Sequence, residues 1–374
     1  MEELIKEDAK VLRVAQVMGK LNAGGVESVI YNYYKHLNYD KIQFDFIIDE
    51  DSTCEIPQEI LQNGARCFVV PPYQHTVKYV SALKKLFKQN GYTIVHSNMN
   101  TLAVFSLYAA WKAKVPVRIC HNHSTSGKGE WLKNVVKFFL KPFAKLFATD
   151  YFACSEYAGK WLYGKRAVKK GKVTVINNAI DLQKFAFNED IRNRVRKELN
   201  IEDKFVIGHV GRFMPQKNHE FLIETFNEIY KINKNAVLLL VGDGPLREDI
   251  EKKVNDLKLE DAVNFVGIKN EVSGFYQAMD VFVFPSTYEG LGVALIEAQA
   301  SGLKCFAANT IPQEAKVTEN LHFLPIDGGI SLWVDKILNV KTERGSAVDA
   351  EKYDITVQAR ELEKFYLDRL NEKK

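Results

Sequence analysis

The sequence predicts an α/β protein of two domains, each built on a doubly wound parallel sheet. Three observations carry this expectation. A chain of 374 residues exceeds the size at which a single hydrophobic core usually suffices. Short runs rich in β-branched and aromatic residues alternate with amphipathic helical stretches from residue 11 to about residue 185. The same alternation then starts again at residue 204. With 46% hydrophobic and 26% charged residues, the composition is that of an ordinary globular protein.

In the first half, VLRVAQVM (11–18) reads as a strand, and Gly24 and Gly25 stand just before a helix that puts Val26, Val29, Ile30 and Tyr33 on one face. The glycines at 19, 24 and 25 do not form GxGxxG, and no acidic residue ends a second strand at dinucleotide distance. A Rossmann oxidoreductase is therefore disfavoured, and the segment also fits a plain strand–helix turn. IQFDFII (42–48), ARCFVV (65–70), YTIVHS (92–97) and VRICHNH (117–123) continue as strands, with helices over 76–88 and 101–113. Asp49, Glu50 and Asp51 close the second strand as an acidic DxD turn, either a metal holder or a solvated loop. His121 and His123 flank Asn122 at the carboxyl end of a strand, where open α/β sheets collect their sites. No further ligands stand at a spacing that would make them a metal centre.

Residues 131–147 (WLKNVVKFFLKPFAKLF) place a lysine at 133, 137, 141 and 145, one basic stripe on a helix, with Pro142 interrupting it. Two readings stand open: a core helix with one solvated lysine face, or a lysine-edged aromatic surface resting on anionic lipid. Charge is unevenly distributed. Residues 1–185 hold 26 Lys/Arg against 16 Asp/Glu, and the remainder 25 against 31. A basic half facing anionic lipid or a lipid phosphate fits better than nucleic acid, for which no zinc-finger spacing, RNP sequence or basic dimer helix is present. Five widely spaced cysteines without CxxC read as reduced thiols. The first ten residues, MEELIKEDAK, lack an apolar signal region, and no stretch reaches membrane-spanning length, so a cytoplasmic protein is expected, one that the lipid reading of 131–147 would place peripherally on the inner membrane face.

KVTVINNAIDLQKF (172–185) reads as the last strand of the first half running into a linker. FVIGHV (205–210) opens the second half and leads through Gly211, Arg212 and Lys217 into a helix. Two fixed cations at a strand's end suit a diphosphate, arginine binding its oxygens bidentately and lysine as a point charge. Helix N-termini disfavour cations, so a merely decorative role is the weaker reading. VLLLVGDGP (237–245) and VNFVG (263–267) are the next strands, the second followed by a turn at Ile268 and Lys269.

The most informative stretch is VFVFPSTYEGLGVALIEAQASGL (281–303): a buried strand, a loop with Glu289, Gly290, Leu291 and Gly292, and a helix ending at Gly302. Glycines admit close approach of backbone amides, and the helix start favours an anion. Glu297 lies two helical turns along, roughly 10 Å from the loop. The two carboxylates thus suit a sugar on one side of a diphosphate and a ribose on the other.

The pattern PS-x2-EG-x-G-x4-EA, with its Glu-x7-Glu spacing, together with GR-x4-KN, resembles the retaining glycosyltransferases of family 4. The resemblance covers nearly the whole chain. It implies the GT-B fold: two Rossmann-like domains facing a cleft (1–180 on the acceptor side, 181–345 for the nucleotide sugar), with a helix in 346–374 crossing back to the first. It implies that Gly211, Arg212, Lys217 and the Gly290–Gly292 amides, with Leu291 at the helix start, hold the diphosphate. Glu289 would bind the sugar and Glu297 the ribose, and backbone groups near Ile268 the base. The Gly24-Gly25 loop and His121, favoured over His123, would approach the donor from the first domain. No cofactor or metal is implied. The overall similarity, including ACSEYAG and CHNHSTSGKGE, is to bacterial exopolysaccharide and capsule enzymes, with a UDP-sugar donor and a glycan or lipid-linked acceptor. A subunit of this fold that binds a nucleotide sugar without turning it over, as a regulator or scaffold, is the alternative.

Overall fold

The computed structural model describes residues 11–22, 25–123, 138–269, 271–345, 348 and 350–372. The chain divides into two compact units, and the described residues after 350 belong to the first of them.

The first unit is a seven-stranded parallel sheet: β1 (Leu12–Gly19), β2 (Ile42–Asp49), β3 (Arg66–Val70), β4 (Ile94–Ser97), β5 (Val117–Asn122), β6 (Asp150–Ala153) and β7 (Val173–Val175). Their spatial order is β3-β2-β1-β4-β5-β6-β7, so the winding reverses between β1 and β4. β2 is buried along its whole length, as a strand covered on both faces must be. The helix expected at 76–88 runs from Thr76 to Asn90 and is closed by Gly91 in the left-handed region. That expected at 101–113 begins as a 3₁₀ turn, Asn100–Leu102, and continues from Ala103 to Lys112. The strand read within 172–185 is only three residues long, at the sheet's edge.

The second unit is a six-stranded parallel sheet: β8 (Phe205–Val210), β9 (Ala236–Val241), β10 (Val263–Gly267), β11 (Val281–Phe284), β12 (Lys304–Ala308) and β13 (Leu321–Leu324). Its order, β10-β9-β8-β11-β12-β13, reverses between β8 and β11. β9 and β11 are wholly buried. In both units the reversal opens a crevice beyond the carboxyl ends of the two diverging strands, where ligands bind in such sheets.

The last helix, Ile355–Asn371, is capped by Asp354, whose carboxylate accepts from the amides of Thr356 (2.8 Å) and Val357 (3.3 Å). It buries Ile355, Ala359, Leu362 and Tyr366. Phe365 meets Phe152 of β6 edge-to-face at 4.7 Å, and Arg369 pairs with Asp150 at 3.1 Å. The chain thus returns to the first sheet after completing the second.

Candidate active site

In the second unit the chemistry collects at the β8/β11 reversal. β8 runs out through Gly211 and Arg212 into the 3₁₀ turn Pro215–Lys217, and β11 runs out through Pro285 into the loop carrying Glu289. The two loops are laced together. Thr287 N donates to Gln216 O (2.8 Å), Gln216 Nε2 to Tyr288 O (2.8 Å) and Asn218 Nδ2 to Pro285 O (3.3 Å). This lacing sets Lys217 Nζ 2.7 Å from Glu289 Oε1, with the ammonium 4.5 Å from the centre of the Phe284 ring. Arg212 is half-buried and has neither an ion pair nor a hydrogen bond among the described residues, leaving its guanidinium available.

Gly292 is the N-cap of the helix Val293–Ala300, at φ +89°, a left-handed conformation that side chains resist. No side chain caps that helix, and although Leu295 N donates to Gly292 O (3.0 Å), the helix start keeps its partial positive charge for a ligand. Gly290 and Leu291 are buried within the turn before it. Glu297 is half-buried on the same helix and accepts a hydrogen bond from the Tyr276 hydroxyl at 2.7 Å. Its densely packed surroundings push its carboxyl up to about 7, against which the tyrosine hydrogen bond works. On the far side of β8, Gly242 takes φ +132°, and a Cβ there would stand 2.2 Å from the carbonyl oxygen of Gly211, so only glycine fits. Gly242 N also donates to Gly267 O (3.0 Å), drawing the turn with the exposed Ile268 towards the same edge.

In the first unit, Gly25 opens the helix Gly25–Lys35, whereas Gly24 lies outside the described residues. Glu27 reaches back to accept from Asn22 N at 3.0 Å and fixes the turn out of β1. His121 lies near the end of β5 and His123 just past it, their rings 3.8 Å apart. Both are buried, and burial pushes both below the usual imidazole range, His123 to about 3. His121 Nδ1 pairs with His96 Nε2 at 3.0 Å, and its Nε2 is buried without a partner among the described residues. Of the acidic turn, Asp51 pairs with Lys20 at 2.9 Å, while Asp49 is buried. Burial first, and Asp51 second, push the Asp49 carboxyl up to about 7. Among the described residues no group of three or more His, Cys, Asp or Glu side chains is arranged to hold a metal ion.

Residues 23–184 match the family model "Glycosyltransferase Family 4" and residues 191–355 match "Glycosyl transferases group 1". The putative glycosyltransferase EpsF of Bacillus subtilis (strain 168) is 34% identical over 332 residues, 87% of this chain and 86% of the relative. The chain belongs to the family 4 glycosyltransferases. A second relative, the UDP-Gal:alpha-D-GlcNAc-diphosphoundecaprenol alpha-1,3-galactosyltransferase of Escherichia coli, is 27% identical over 390 residues, 97% of this chain and 99% of that one. The crystal structure of Anabaena Alr3699/HepE in complex with UDP-glucose superposes with a TM-score of 0.77 at 17% identity, covering 96% of this chain and 100% of that chain. This glycosyltransferase therefore has the GT-B fold.

Several residues at its site were invisible to sequence reasoning. Tyr276, which holds Glu297, and Gln216, which laces the loops, carry no motif; their partners come from other elements. Tyr366 and His96, behind His121, are likewise joined only by folding.

Proposed function

We propose that this enzyme is a retaining, metal-independent glycosyltransferase moving a hexose or N-acetylhexosamine from a UDP-sugar to a glycan or lipid-linked acceptor in polysaccharide assembly. The observation that supports the reading best is the meeting of Lys217 and Glu289 before an uncapped helix, with Arg212, unpaired among the described residues, on the loop that leaves β8. Fixed cations and helix amides are what a departing nucleotide diphosphate needs as charge grows on it. On this reading the bond from the anomeric carbon to the diphosphate breaks with its electron pair left on the phosphate oxygen. The acceptor hydroxyl adds to the same face of the sugar, and its proton passes to that phosphate oxygen. Lys217, Arg212 and the amides after Gly290 supply the stabilising charge, so no divalent ion is required. Glu289 holds sugar hydroxyls, Glu297 the ribose pair, the backbone at Ile268 the base, and His121 the transferred sugar.

The acceptor side rests on a surface feature. Phe138, Phe139, Phe143 and Leu146 are exposed, Phe138 by 72%, within ten residues that also carry Lys141 and Lys145. We assign this patch to an anionic membrane face, consistent with a lipid-linked acceptor; residues 131–137 of the stretch lie outside the described residues. Among the described residues no helix is long and apolar enough to cross a membrane.

The test is nucleotide release from a panel of UDP-, GDP- and ADP-sugars in EDTA, for the wild type and Glu297→Ala, with lipid-linked acceptors supplied. Turnover of a UDP-sugar that is lost in the variant supports the proposal. Binding of every donor without turnover would make the chain a nucleotide-sugar-binding subunit, and loss of activity in EDTA would overturn metal independence.

A further inference from the structure

Behind His121 the first unit contains a continuous line of buried side-chain hydrogen bonds from three strand ends and the last helix. His123 Nε2 meets Asn98 Oδ1 (3.0 Å), Asn98 Nδ2 meets Gln16 Oε1 (3.0 Å), and Gln16 Nε2 meets the Tyr366 hydroxyl (3.1 Å). That hydroxyl lies 2.6 Å from His96 Nδ1, and His96 Nε2 lies 3.0 Å from His121 Nδ1. All six residues are buried, none more than 8% exposed.

The direction of the line follows from counting protons. Asn98 Nδ2 faces both Gln16 Oε1 and, at 3.7 Å, the sulfur of Met18, a weak acceptor, so the amide nitrogen belongs on that side. Its oxygen is then left to accept from His123. Gln16 accepts from Asn98 through its oxygen and so donates to Tyr366 through its nitrogen. The tyrosine oxygen, already accepting, has one proton to give, and the remaining neighbour is His96 Nδ1. A neutral His96 that accepts at Nδ1 carries its proton on Nε2 and donates it to His121 Nδ1. A neutral His121 that accepts at Nδ1 must carry its own proton on Nε2, the atom left buried and without a partner. Neutrality is secured by burial, which pushes His96 down to about 3 and His121 well below its usual range.

We propose that Tyr366 and His96 are positioning residues that lock His121 as the Nε2–H tautomer, so that it offers a hydrogen-bond donor to an oxygen of the ligand and does not serve as a base. This rests on the reading of His121 as a contact to the transferred sugar, and it specifies the contact as donation to a sugar oxygen. The last helix thereby contributes to the site through Tyr366, some 245 residues after His121.

Long-range 1H–15N spectra of the full chain labelled in histidine test this without substrate, with His121 assigned by the signal lost in His121→Gln. The expected result is a protonated Nε2 and a bare Nδ1 in the wild type, unchanged from pH 6 to 8. In Tyr366→Phe, His96 loses its donor, and both tautomers of His121 should appear, with kcat about tenfold lower at near-constant donor KM. His96→Phe gives the same mixed His121 signal should the tyrosine variant fail to fold. A wild-type proton on Nδ1, or a single unchanged tautomer in both variants, overturns the proposal. Full turnover by His121→Ala would overturn the sugar contact alone, since the wild-type spectrum decides the tautomer separately.

Discussion

Lys217 Nζ and Glu289 Oε1 lie 2.7 Å apart, although 72 residues separate them in the chain. Neither side chain is more than 17% exposed, so the pair is shielded from salt and holds both groups in a single geometry. Lys217→Ala is expected to lower kcat about 100-fold, the usual cost of one stabilising donor at an oxyanion. Steady-state nucleotide release measures it, and an unchanged kcat would remove Lys217 from the chemistry.

Among the described residues Arg212 has no partner to lose, so its replacement should affect the ligand rather than the fold. Arg212→Lys keeps the charge but not the two-pronged geometry, and should weaken donor binding about tenfold with an unaltered melting temperature. Titration calorimetry with the nucleotide diphosphate decides the first part, and thermal unfolding the second.

Glu297 carries a pH signature. Burial raises its carboxyl from 4.5 to about 7. The folded protein therefore holds a proton between those values that the unfolded chain has released, and stability contributed by this group falls as pH rises through about 7. Glu297→Gln removes that loss. It should raise the melting temperature at pH 8 by several degrees, corresponding to about 3 kcal/mol, and leave it unchanged near pH 4. A variant no more stable than the wild type at pH 8 would show that the carboxylate ionises without penalty.

The exposed phenylalanines give a separate prediction. The wild type should sediment with vesicles containing anionic phospholipid and be released by high salt. Phe138→Ser with Phe139→Ser should reduce the bound fraction at least fivefold while leaving turnover of a water-soluble acceptor analogue intact. Equal sedimentation of wild type and variant would take membrane contact away from this patch.

Much of the fold could be read before folding because parallel strands buried on both faces appear as uninterrupted apolar runs, as in VFVF (281–284) and VLLLV (237–241). KCFAA (304–308) and LHFL (321–324) escaped notice. Both are short, start or alternate with a polar residue, and gain their strand character only from lying beside β11 and each other. At the site, Arg212, Lys217, Glu289 and Glu297 stood out because each belongs to a local pattern of glycine, charge and helix start. Tyr276 and Tyr366 did not, since a hydroxyl that acts on a residue from another helix leaves no spacing to find.

The return of the chain to its first sheet has a consequence for biosynthesis. Phe365 and Tyr366 pack into the first unit, so during translation that unit must wait, with an uncovered apolar flank, until the whole second unit has left the ribosome. A nascent chain arrested before residue 355 would have both sheets complete but the first still without its covering helix, the reverse of the order of synthesis. Stop codons shortly before residue 355 should therefore damage the part of the protein that was made first.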